Sequence, residues 1–60
     1  MDPMKINDQI AKRQREIAAL QTKRRKAESD EDYEKSGQIQ AMIVELGSQI
    51  DKLIAQLGKM

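Results

Sequence analysis

Ile6, Ile10, Arg13, Ile17, Leu20, Arg24 and Ala27 follow one another at alternating steps of four and three. That is the spacing of a coiled-coil seam, in which every marked side chain returns to one side of an α-helix. A second series, Ser36, Ile39, Ile43, Leu46, Ile50, Leu53, Leu57 and Met60, keeps the same rhythm, and Met42 and Ile54 flank it. Two arginines interrupt the first series, so the second helix is the more apolar of the two. The chain is therefore expected to fold as two helices of matched length.

Sixty residues bury too little apolar surface for a comfortable globule without disulfides, a metal or a partner chain, which favours a helix pair or a bundle. Ala, Ile, Leu, Gln, Glu, Lys and Arg dominate, Phe and Trp are absent and there is one Pro, a composition of long helices rather than sheets. The stretch Glu28-Ser29-Asp30-Glu31-Asp32 separates the two series and contains three competent N-caps, Ser29, Asp30 and Asp32. Helix one is placed at about residues 4–27, the turn at 28–31 and helix two at about 32–57. Residues 1–3 read as a disordered lead or a remnant of a cloning vector, and residues 4–60 as one domain.

Charge supports a reversal. Lys23, Arg24, Arg25 and Lys26 sit where the dipole of helix one is negative, and Glu28, Asp30, Glu31, Asp32 and Glu34 crowd the start of helix two, where its dipole is positive. With a reversal near Asp30, Ile17 comes near Ile43, Leu20 near Ile39, Ile10 near Ile50 and Ile6 near Leu53, while Arg13 lies beside Leu46 and Gly47, and Arg24 beside Ser36 and Gly37. Glycine inside a helix costs about 1 kcal/mol relative to alanine, so Gly37 and Gly47 point either to close backbone approach or to tolerated surface positions. The expected fold class is all-α: an antiparallel two-helix coiled-coil hairpin that dimerises into a four-helix bundle.

Chemistry is constrained by what is missing. Without Cys or His there is no disulfide framework, no thiolate or imidazole metal site, no cysteine nucleophile and no histidine acid–base group. No Gly-rich phosphate loop, HExxH motif or paired-carboxylate site is recognisable. The acidic run does not read as a calcium loop, since residues 30–41 lack the loop glycine six positions in and the bidentate glutamate at the end. The chain is expected to be no enzyme and to take no cofactor or metal. No apolar run approaches the roughly 18 to 20 residues of a membrane span, and a cytoplasmic location is expected.

The stretch Tyr33-Glu34-Lys35-Ser36-Gly37-Gln38-Ile39-Gln40-Ala41-Met42-Ile43-Val44-Glu45-Leu46 resembles the UVR motif, the short helical hairpin named for the UvrB and UvrC excision-repair proteins. Tyr33-Glu34, Ser36-Gly37, Ile39, Ile43 and Leu46 fill its aromatic-acid, small-small and aliphatic places, and Ala27 fits the small residue before the turn. Gln40-Ala41 stands where the family usually has Arg-Asp, and Glu31 where it commonly has leucine. The resemblance spans about residues 23–46 and implies a protein-binding device, usually part of a longer chain. It also implies that Tyr33 opens helix two at the closed end, where Tyr33, Ala27 and Leu20 are expected to pack together.

The expected function is non-catalytic binding of protein, either a homodimer or a partner, through Ile39, Met42, Ile43, Leu46, Ile50, Leu53 and Ile54. A hairpin covers only one stripe of each helix, which leaves Met42, Ile54 and Val44 outside it. One alternative is binding of nucleic acid or an anionic membrane through Lys23, Arg24, Arg25 and Lys26, four consecutive cations. Another is a structural coiled-coil spacer, in which residues 28–32 would be helical.

Overall fold

The computed structural model describes residues 2–59. Helix α1 (Pro3–Ser29) and helix α2 (Tyr33–Gly58) lie against each other in a hairpin 45 Å long, with the other Cα extents 14 and 11 Å. The fold is all-α. A continuous rod is excluded by the reversal at residues 30–32.

Helix α1 begins earlier and ends later than its apolar series implies. The Asp2 side chain accepts the Met4 backbone N–H at 2.9 Å, and Pro3 takes the first helical position, where its missing N–H costs nothing and its fixed φ suits the helix. Asp2 and Pro3 are thus a cap and a first turn rather than a disordered lead; Met1 lies outside the described residues. At the other end, the Asp32 N–H donates to the Ala27 carbonyl at 2.8 Å and the Glu31 N–H to the Glu28 carbonyl at 3.0 Å. Glu31 is left-handed, with φ 59°. This pair of bonds and this φ make a Schellman motif, which carries α1 to Ser29 and turns the chain.

Of the three candidate caps, Asp32 starts α2: its side chain accepts the Lys35 N–H at 3.2 Å and its carbonyl accepts the Ser36 N–H at 3.0 Å. The helix therefore runs from Tyr33 to Gly58; Met60, the last position of the apolar series, lies outside the described residues.

Every seam position from Ile6 to Ala27 and from Ser36 to Leu57 is buried or half-buried. Ile6, Ala27, Ile39, Ile50 and Leu53 form the buried apolar core, and Ser36 is the buried polar residue. Ser36 satisfies its hydroxyl by donating to Glu28 at 3.2 Å, so burying it leaves no unpaired donor. The cross-helix hydrogen bonds also correct the register. Arg13 Nε donates to Gln49 Oε1 at 2.8 Å and Arg24 Nη1 donates to Gln40 Oε1, both further along α2 than expected, because the reversal centres on Glu31 rather than Asp30.

The two arginines fill apolar seam positions with their stems and reach the helix flanks with their guanidinium groups, as long amphipathic side chains do. Arg13 Nη1 also donates to the Gln9 carbonyl at 3.2 Å. Arg24 Nε is shielded from water without a hydrogen bond; its ionic contact with Glu28 Oε1, at 3.8 Å, is too long for one.

Candidate interaction surfaces

The hairpin uses up part of the apolar surface expected to meet a partner. Ile39, Ile50 and Leu53 are buried between the helices and Ile43 and Leu46 are half-buried, so these five are first of all the hairpin's own core. Met42 and Ile54 remain outside, 48% and 54% exposed. They do not form one patch. Twelve residues at 100° each place them about 120° apart around the helix axis, one on either flank of the seam.

Heptad positions make the two sides explicit. With Ile10, Ile17, Arg24, Ser36, Ile43, Ile50 and Leu57 at a, and Ile6, Arg13, Leu20, Ala27, Ile39, Leu46 and Leu53 at d, the g flanks of the two helices share one side and the e flanks the other. Contacts across the helices agree with this. Lys23, Lys35 and Met42, all at g, line one cleft, while Glu28 and Gln40, both at e, accept the bonds from Ser36 and Arg24.

The g side is basic. Within the helices its g and c positions hold Lys5, Lys12, Lys23, Lys26, Lys35 and Lys52 against Glu16 and Glu45, six cations to two anions, all exposed. Near the turn it opens into a cleft of about 450 Å³ with a floor of Leu20, Ala27, Ile39 and Met42, a rim of Lys23, Lys26 and Lys35, and Asp30 and Asp32 at the closed end. The four-cation run does not act as one patch. Successive residues turn by about 100°, so Lys23 and Lys26 border this cleft, Arg24 is in the seam and Arg25 lies on the other side.

The e side differs in kind. Its e and b positions are Met4, Asn7, Ala11, Gln14, Ala18, Gln21, Arg25 and Glu28 on α1, and Tyr33, Gly37, Gln40, Val44, Gly47, Asp51, Ile54 and Gly58 on α2. Only Arg25, Glu28 and Asp51 are charged. Of the five exposed large apolar residues among those described, four, Met4, Tyr33, Val44 and Ile54, are here, and so are all three glycines of the chain. A Cβ on Gly37, Gly47 or Gly58 would meet no atom within 4 Å. Close approach between α1 and α2 is therefore not the reason for Gly37 or Gly47.

Tyr33 is 68% exposed and does not cover the closed end. Counting four back from Ser36, the seam position falls on Asp32, which is spent on capping α2; Tyr33, one residue later, is carried to the e flank. Ala27 is buried and, with Leu20, borders the cleft on the other side. The residues that tie the helices together, Glu28, Gln40 and Gln49, were not singled out from the sequence. Their e and g positions beside the seam were the available signal.

Among the described residues, no group of three or more acidic side chains is placed to hold a metal ion, and no helix is long and apolar enough to cross a membrane. Comparison of the chain with protein-family models, with curated proteins and with solved structures gives no match.

Proposed function

We propose that the chain is a non-catalytic protein-binding module, a helical hairpin that associates with itself or docks to a partner protein. The observation that carries this reading is the exposure of Met4, Tyr33, Met42, Val44 and Ile54 around a core of only five buried apolar residues among those described. A chain this small gains stability by covering such surface with a second polypeptide. The likeness of residues 33–46 to the UVR motif supports the same reading, and a composition free of cysteine suits a reducing compartment such as the cytoplasm.

The test is a dilution series followed by amide NMR spectra of the labelled chain. Self-association predicts concentration-dependent shifts at residues around the exposed apolar side chains; spectra that are invariant with concentration, together with a monomeric mass, remove it.

A second reading rests on the lysine side. Lys23, Lys26 and Lys35 around an apolar floor suit a nucleic-acid backbone or an anionic membrane surface. Such binding releases counterions and weakens steeply with salt. A short DNA duplex and phosphatidylserine vesicles, each titrated with the chain at rising salt, separate the two ligands; no binding to either at low salt excludes both.

A further inference from the structure

The e side is the apolar face of the hairpin that none of the described residues covers, and its order along α2 is self-complementary. The stripe reads Tyr33, Gly37, Gln40, Val44, Gly47, Asp51, Ile54, Gly58. Laid antiparallel on a second copy of itself, with a twofold axis passing between Glu45 and Leu46, it places Val44 opposite Gly47, Ile54 opposite Gly37, Tyr33 opposite Gly58 and Gln40 opposite Asp51. Each large apolar side chain meets a glycine, and the one polar pair joins an amide donor to a carboxylate acceptor. A twofold dimer requires this reciprocity, since each contact is made twice.

We propose that a second copy of this chain docks on the e side through this α2–α2 pairing, giving a four-helix bundle; the proposal rests on the protein-binding reading above and specifies its face and occupant. Charge selects the same face. Two g sides would bring six lysines against six, with Glu16, Glu45, Asp30 and Asp32 on each, whereas two e sides bring together Arg25, Glu28 and Asp51 of each copy, a weaker repulsion. Area is sufficient. A face 45 Å long and 14 Å wide between Cα atoms, broadened by its side chains, is comparable to the ~800 Å² per partner that a stable specific interface buries.

The pairing also accounts for glycines that the hairpin itself does not need. Open space surrounds the Cβ direction of Gly37, Gly47 and Gly58, so each forms a shallow hole in the helix surface. Val44, Ile54 and Tyr33, 62%, 54% and 68% exposed, are the knobs that fit them.

The pairing is tested by exchanging a knob and its hole. Sedimentation equilibrium is run on the wild-type chain, Gly47→Val, the exchange variant Val44→Gly/Gly47→Val, and Met42→Lys, with circular dichroism reporting helicity for each. Gly47→Val sets valine against valine and is expected to raise the dimer Kd by at least about tenfold, about 1.4 kcal/mol, with helicity retained. The exchange variant restores a valine–glycine pair and is expected to return Kd to within about threefold of wild type, less than about 0.7 kcal/mol. Met42→Lys, on the other side, is expected to leave Kd unchanged. A dimer broken by Met42→Lys and indifferent to Gly47→Val overturns this face while leaving the protein-binding reading intact, and so does an exchange variant no better than Gly47→Val. A wild-type chain that stays monomeric throughout overturns self-association itself.

Discussion

The Asp32 amide reaches back to the Ala27 carbonyl at 2.8 Å, and Glu31, the residue just before Asp32, has φ 59°. The Schellman bond ends α1 and delivers Asp32 where it can cap α2, so one turn of chain both stops a helix and starts its antiparallel neighbour. The left-handed position is usually glycine, because a Cβ there costs roughly 1–2 kcal/mol.

Glu31→Gly is accordingly expected to stabilise the hairpin. Relief of the left-handed strain exceeds the extra unfolded-state freedom of glycine, for a net gain of about 0.5–1 kcal/mol. Thermal unfolding checks this. An unchanged or lower midpoint would mean that the Glu31 side chain contributes more than its backbone costs.

Asp32→Ala removes the acceptor for the Lys35 N–H and the negative charge at the positive end of the α2 dipole. A loss of about 1 kcal/mol is expected. Asp32→Asn keeps the cap and is expected to recover most of it; equal losses for the two variants would assign the effect to charge alone.

Ile6 is fully buried, and truncating a buried isoleucine to alanine costs about 2–5 kcal/mol, comparable to the whole stability of a chain this size. Ile6→Ala is expected to unfold the hairpin, as is Ile43→Asp, which sets a charge in the seam. Tyr33→Ala is expected to leave monomeric hairpin stability within about 0.5 kcal/mol, because Tyr33 projects from the e flank. Chemical denaturation at low protein concentration compares the three. A large loss for Tyr33→Ala would show that the ring closes the turn after all.

Ile54→Lys and Met42→Lys separate the two sides of the hairpin. Both side chains are exposed, so both variants should keep wild-type helicity, yet only Ile54→Lys should weaken self-association, by at least about tenfold. Analytical gel filtration over a concentration series reads the difference.

The 4-3 rhythm of Ile6 to Ala27 and Ser36 to Leu57 was sufficient to read the helices, the seam and the hairpin, because burial in a two-helix fold depends on little else. The register was less legible, since Glu31 gives no sign of adopting the conformation that glycine usually supplies. The Asp2-Pro3 start of α1 was marked by a cap residue followed by a first-turn proline, a polar signal that apolar periodicity does not include. Tyr33 lies outside the closed end for a geometric reason: one position beyond the seam moves a side chain by about 100°, from the helix interface to its flank. That displacement takes the single aromatic residue from the interior of one hairpin to the surface proposed to meet another.

Sedimentation velocity of the wild-type chain over a wide concentration range tests the central claim most directly. A hairpin that self-associates into a four-helix bundle predicts a reversible, concentration-dependent shift to a compact species of twice the 6.9 kDa chain mass. A single 6.9 kDa species at every concentration, or a dimer with the frictional ratio of an extended rod, would contradict it.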